Sequence, residues 1–88
     1  MTWKIEFSKA CEKQLQKFDA QTQKRILGFL YHRILPSENP RLLGKQLKGR
    51  LDHYWSYRVG DYRIIADVQD RKITLVVISI DHRRQVYS

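Results

Sequence analysis

The stretch Tyr54-Trp55-Ser56-Tyr57-Arg58-Val59-Gly60-Asp61-Tyr62-Arg63-Ile64-Ile65-Ala66-Asp67-Val68-Gln69 decides the fold. Two runs rich in aromatic and β-branched residues flank Gly60-Asp61, a dipeptide suited to a two-residue hairpin turn. That turn pairs Val59 with Tyr62, Arg58 with Arg63, Tyr57 with Ile64 and Trp55 with Ala66. Side chains alternate along a strand, so pairing sorts them into faces. Trp55, Tyr57, Val59, Tyr62, Ile64, Ala66 and Val68 form an apolar face. Tyr54, Ser56, Arg58, Arg63, Ile65 and Asp67 form a mixed face with a cationic end.

Downstream, Asp70-Arg71 reads as a second tight turn, and Lys72 to Ile80 is rich enough in β-branched residues to be the central strand. That turn predicts Val68 opposite Ile73, Ala66 opposite Leu75 and Ile64 opposite Val77. Ile78 then falls on the mixed face with Thr74 and Val76, and the tail begins two residues on, at Ile80.

Upstream, Trp3 to Phe7 alternates as a short strand, and Ser8 is a helix N-cap. Cys11, Leu15 and Phe18 recur at helical spacing, predicting an amphipathic helix over Lys9–Phe18. Asp19 caps a second helix with the stripe Ile26, Leu30, Ile34, which Pro36 and Pro40 bring to an end. Arg41–Gly44 reads as a single turn and Lys45–Arg50 as a basic linker. Consecutive hairpins give an antiparallel meander. The fold class is α+β: an N-terminal strand and a helical hairpin packed on one face of a small antiparallel sheet, with residues 1–88 as a single domain.

Composition excludes several classes. The chain has 88 residues, 42% of them hydrophobic, enough for one two-layer core. No apolar run approaches the ~20 residues of a membrane span. The N-terminus has no signal-peptide pattern, and the lone Cys11 cannot form an internal disulfide, so the chain reads as cytosolic and Cys11 as a buried small hydrophobe. His32, His53 and His82 lack metal-ligand spacing, which predicts no zinc site. No Gly-rich phosphate loop or Ser-His-Asp arrangement stands out, and the glutamates are isolated. Seventeen Lys+Arg against nine Asp+Glu give a net charge of +8, which favours a polyanionic partner if the cations cluster.

Arg58 and Arg63 supply such a cluster. Two unit charges at ~6 Å repel by roughly 0.7 kcal/mol in water and ~3 kcal/mol at an effective dielectric of 20. Solvation, or pairing with Asp61 or Asp67, would relieve this; so would a phosphate held between two planar guanidinium forks. The tail Asp81-His82-Arg83-Arg84-Gln85-Val86-Tyr87-Ser88 adds a titratable group, more cations and an aromatic ring. Those are parts for phosphoryl chemistry or base stacking.

The block from Lys48-Gly49 through Tyr54–Ile65, together with Val76–Ile80 and the tail His82-Arg83-Arg84-Gln85-Val86-Tyr87, resembles the RelE/ParE toxin superfamily over nearly the whole chain. The resemblance implies a RelE-like microbial-RNase-type fold and a toxin of a type II toxin–antitoxin pair. RelE-like members enter the ribosomal A site and cut mRNA without a metal or other cofactor, through attack by the RNA's own 2′-hydroxyl. Carried over to this chain, the general base is Tyr87, the acid or leaving-group stabiliser Arg83, and the cation on the transition-state phosphate Arg63. Arg58, with Lys48, Arg50, Tyr54, His82 and Arg84, is implied to hold RNA. Arg84 and His82 compete with Arg83 for the acid role. The implied partners are a RelB-like antitoxin, the ribosome with its rRNA and mRNA, and operator DNA through the toxin–antitoxin complex; no membrane is implied.

Two positions depart from the RelE pattern. Ser56 and Tyr54 stand where RelE-like chains often carry Lys or Arg, thinning the cationic cluster. Two other readings therefore stay open: a ParE-like inhibitor of DNA gyrase without nuclease chemistry, and an inactive nucleic-acid-binding relative.

Overall fold

The computed structural model describes residues 3–82. Chain order is β1 (Lys4–Phe7), α1 (Lys9–Lys17), α2 (Ala20–Phe29), β2 (Lys45–Gln46), β3 (Tyr54–Val59), β4 (Tyr62–Gln69) and β5 (Thr74–His82). The five strands form one sheet in the order β1-β5-β4-β3-β2. Both helices pack on one face of it, an α+β arrangement.

The helices begin where the caps predict. The Ser8 hydroxyl accepts from the Cys11 amide at 3.0 Å and starts α1. Asp19 precedes α2, which continues through Leu30–Ile34 as a wider turn closed by the Leu35 amide donating to the Leu30 carbonyl. Gly28 and two isoleucines weaken the intrinsic helicity of this stretch. Packing compensates: Ile26, Leu30 and Ile34 are fully buried, and each such side chain contributes about 1.5–3 kcal/mol.

The first hairpin has the predicted strands and register: Val59 opposes Tyr62, Arg58 opposes Arg63, Tyr57 opposes Ile64, and Trp55 opposes Ala66. Tyr57, Ile64, Ala66, Leu75 and Val77 are buried under the helices, alongside Cys11. Burial pushes the Cys11 thiol up to about 11, aided by the neighbouring Glu12 carboxylate.

Three expectations need correction. The sheet is mixed, because β1 runs parallel to β5, with Ile5 opposite Leu75 and Phe7 opposite Val77. The basic linker contains an edge strand: Lys45 pairs with Ser56, and Gln46 with Trp55. The second turn is also longer than two residues. Asp70–Lys72 make a helical turn, and Ile73 closes it in the left-handed region (φ 49°). Val68 therefore opposes Leu75 and Ala66 opposes Val77. This slip of two residues leaves each side chain on its predicted face, because the side-chain period is two.

A bulge then changes the faces. Ala66 opposes Val77, but Ile65 opposes Ser79, so Ile78 has no partner in β4. One extra residue reverses the alternation beyond it. Ile80 turns inward, opposite Ile64 and 2% exposed, while Asp81 turns to the open face opposite Arg63. The strand, rather than a tail, continues to His82.

Candidate functional site

The turn end of the β3–β4 hairpin positions the arginines. Gly60 has φ +60°, and a Cβ there would lie 2.7 Å from Nη2 of Arg25. The turn needs glycine for its left-handed backbone, and a guanidinium from α2 lies close beside it. Arg25 is a cation at this end that the sequence alone did not reveal, because only the packing of α2 on the hairpin brings it there.

Arg58 and Arg63 face each other across the hairpin. Arg58 is exposed, and its Nε donates weakly to the Gly60 carbonyl at 3.4 Å. Arg63 is half-buried. Among the described residues, no carboxylate lies within ion-pairing distance of either, so neither Asp61 nor Asp67 neutralises the pair.

The next row repairs part of the cationic deficit at Ser56. Lys45 of β2 stands directly across from Ser56, so an edge strand supplies the positive charge that β3 lacks. Close approach of this strand requires Gly44, where a Cβ would lie 2.7 Å from the Ser56 carbonyl oxygen and from a Tyr57 ring carbon. Tyr57 is an anchor: its hydroxyl donates to the Pro40 carbonyl at 2.9 Å, and burial raises its pKa to about 12. Lys45, Ser56, Arg58, Asp61 and Arg63 share a cleft of about 440 Å³ at the edge of β3.

A second groove, also about 440 Å³, lies on the open face of the sheet. Leu47, Lys48 and Leu51 form one wall, Tyr54, Ile65 and Ile78 give it an apolar lining, and Arg63, Ser79 and Asp81 complete it. Arg63 borders both cavities. Tyr54 carries the His53 ring against it, centroids 4.0 Å apart, and His53 Nδ1 lies 3.8 Å from an Asp52 carboxylate oxygen.

The sequence-predicted residues thus divide. Arg58 and Arg63 stand together, with Lys48 and Tyr54 beside Arg63 across the groove. Arg50 is exposed in the turn Gly49–Leu51 and does not line the groove. His82 opposes Tyr62, with ring centroids 5.0 Å apart, and Tyr62 in turn packs on Phe18 of the region linking the helices. The bulge has therefore put His82 on the helix-covered face, away from Arg63. Arg83, Arg84 and Tyr87 lie outside the described residues. Asp81, which takes the place beside Arg63, went unnoticed in the sequence because strict alternation turns it inward.

Known proteins share this architecture. The family model described as the ParE toxin of type II toxin–antitoxin systems, parDE, matches residues 5–87. Toxin RelG of Mycobacterium tuberculosis is 26% identical over 87 residues, covering 99% of this chain and 98% of that protein. The toxin–antitoxin complex RelBE2 from the same species superposes with a TM-score of 0.84 at 25% identity, covering 94% of this chain and 93% of that one. The archaeal RelE–RelB complex from Pyrococcus horikoshii gives a TM-score of 0.67 at 26% identity, covering 94% and 97%. With a sequence match that runs from β1 beyond β5 and a sheet that superposes on toxins held in their antitoxin complexes, this chain belongs to the ParE toxin family of type II toxin–antitoxin systems, within the RelE/ParE superfamily.

Proposed function

We propose that this toxin is a ribosome-dependent endoribonuclease that cuts mRNA in the A site and so stops translation. The observation that carries the reading is the Arg58–Arg63 pair: two arginines directly opposite in the hairpin register, with no carboxylate among the described residues within salt-bridge distance of either. Like charges held together in this way are relieved by an anion between them, and a phosphodiester fits the planar forks.

In the proposed reaction the 2′-hydroxyl of the RNA attacks the adjacent phosphorus. Tyr87 takes the hydroxyl proton as the O2′–P bond forms. Arg63 stabilises the charge that develops on the phosphorane oxygens. The P–O5′ bond breaks, Arg83 stabilises the departing oxygen, and water protonates it to the 5′-hydroxyl while Tyr87 returns its proton to solvent. The products are a 2′,3′-cyclic phosphate and a 5′-hydroxyl end, with no metal required. An ordinary tyrosine pKa near ~10 is too high for this role, and cations brought close to the phenol would favour the phenolate. Arg58, Lys48, Tyr54 and Arg84 remain the proposed RNA contacts, and the cytoplasm the proposed site of action; Arg50, outside the groove, and His82, on the helix-covered face, do not join them.

The partner proposed to silence the toxin is a RelB-like antitoxin. The similar toxins from M. tuberculosis and P. horikoshii are seen in complex with their antitoxins. With a net charge of +8, the toxin favours an acidic partner. The same complex would carry the toxin to operator DNA.

Because the matching family model is that of the ParE toxin, a second reading stands beside this one: a ParE-like inhibitor of DNA gyrase without nuclease chemistry. One pair of assays separates them. Purified toxin is added to ribosomes programmed with a defined mRNA, and in parallel to gyrase with relaxed plasmid. Cleavage of the mRNA with normal supercoiling supports the nuclease; loss of supercoiling with intact mRNA replaces it with the gyrase reading.

A further inference from the structure

The groove on the open face is divided in a way that suits one unstacked nucleotide. Ile65 and Ile78 offer apolar surface, Tyr54 an aromatic ring, Lys48 and Arg63 two cations, and Asp81 a carboxylate. Its volume of about 440 Å³ falls within the ~300–1,000 Å³ usual for small-molecule sites. Aromatic and apolar surface accepts the face of any base, and cations accept its phosphate. The carboxylate is the odd member. Beside Arg63 it weakens the attraction for phosphate, so its presence fits a ligand that also donates hydrogen bonds.

The bulge places it there. With unbroken alternation, Asp81 would share a face with Val77, under the helices, and Ile80 would face the groove. The unpaired Ile78 exchanges them. The first helix fixes this arrangement: the Ser8 hydroxyl donates to the Ile78 carbonyl at 2.7 Å, and Oε1 of Gln14 accepts from the Ile80 amide at 2.8 Å. Bulges commonly re-aim a side chain beside a functional site.

An ionised carboxylate only accepts. Cytosine, adenine and guanine each carry an exocyclic amino group that can donate to it. Uracil has carbonyl oxygens on both sides of its N3–H, and a carboxylate repels them. We propose that the groove holds one nucleotide of the RNA substrate and that Asp81 selects a base bearing an exocyclic amino group over uracil. The identity of the ligand as RNA rests on the nuclease reading; the selectivity rests on the groove.

Cytidine and uridine 5′-monophosphates test this, since they differ at the amino position. Each is titrated into the isolated toxin, with the methyl resonances of Ile65 and Ile78 followed by NMR. The expected result is binding about tenfold tighter for the cytidine nucleotide, as for a good base-edge contact. Asp81→Asn, whose amide can donate to a carbonyl, should bring the two within about twofold; Asp81→Glu should restore the preference. Equal affinities in the native toxin, no perturbation of Ile65 and Ile78, or an unchanged preference in Asp81→Asn would each overturn the proposal. Cleavage on ribosomes carrying A-site codons that differ only by cytosine or uracil separates the two readings. Cutting without discrimination at any codon position overturns the selectivity and leaves the nuclease. No cutting at all fails the nuclease, and the nucleotide titration then decides the groove on its own.

Discussion

The hydroxyl of Ser8 donates to the carbonyl of Ile78, 70 residues away in sequence, at 2.7 Å. The same hydroxyl accepts from the Cys11 amide, and the Ser8 amide donates to the Val77 carbonyl at 2.9 Å. One residue therefore starts α1 and holds the bulge in β5.

Ser8→Ala should consequently cost more than removal of an ordinary cap. Loss of an N-cap side chain costs about 0.5–2 kcal/mol, and loss of a hydrogen bond to a carbonyl about 0.5–1.5 kcal/mol more. Ser8→Asp keeps the acceptor for Cys11 but has no proton for Ile78, so it should recover only the first part. Urea unfolding of the three proteins checks this, and equal midpoints for Ser8→Ala and the native chain would refute the shared role.

Tyr57 should give the protein an alkaline limit. Its pKa rises to about 12 in the fold, chiefly through burial, from an ordinary value near ~10. The neutral phenol is favoured by folding, so its contribution is complete below pH ~10 and is lost as pH rises toward 12. Tyr57→Phe removes this titration together with the bond to Pro40, at a cost of about 1–3 kcal/mol at neutral pH. Urea melts between pH 8 and about 12 should show a decline in the native protein that is shallower in Tyr57→Phe; parallel curves would place the alkaline limit elsewhere.

Salt dependence should report which cations touch RNA. Each phosphate that a cation ceases to neutralise lowers the slope of log affinity against log salt by a little under one. Arg58→Ala and Lys45→Ala should each reduce the slope for ribosome binding by about that amount. Arg25→Ala, at the same end of the hairpin, should do likewise if RNA passes over the Gly60 turn. Filter binding across a salt series is the measurement, and unchanged slopes in all three would remove this end from the RNA path.

For catalysis, Tyr87→Phe keeps the ring and removes the proton acceptor. Single-turnover cleavage of ribosome-bound mRNA should slow by about 10²–10⁴-fold with ribosome binding retained. Arg63→Ala and Arg83→Ala should slow it as well, and Arg84→Ala less. A native rate in Tyr87→Phe would assign the ring to stacking and refute its role as the base.

Local pattern made the first hairpin legible down to single pairs, because Gly60-Asp61 fixes the register and alternation fixes the faces. The Ser8 cap and the Ile26, Leu30, Ile34 stripe followed from helical spacing in the same way. What stayed hidden depends on partners distant in sequence. The parallel pairing of β1 with β5 leaves no local trace, and a two-residue strand such as Lys45–Gln46 has no period to detect. The second turn misled because a β-branched residue, Ile73, occupies a left-handed conformation at a cost of about 1–3 kcal/mol. Surrounding bonds hold it there: the Ile73 amide donates to the Asp70 carbonyl, and its own carbonyl accepts from the Lys4 amide of β1 at 2.8 Å. The bulge mattered most for the site, since one unpaired residue exchanged His82 for Asp81 beside Arg63.

The strand order has a consequence for how the toxin is born. β5 lies between β1 and β4, so residues 74–82 complete the pairing of both. They are also the last of the described strands to be synthesised. During translation, β1 waits without its partner, the inner edge of β4 lacks its neighbour, and neither the Arg63–Asp81 row nor the bulge exists. Before β5 is in place, the Arg63–Asp81 row of the groove cannot form. The sheet of the described residues is therefore closed last, by β5, which joins β1 to the β3–β4 hairpin.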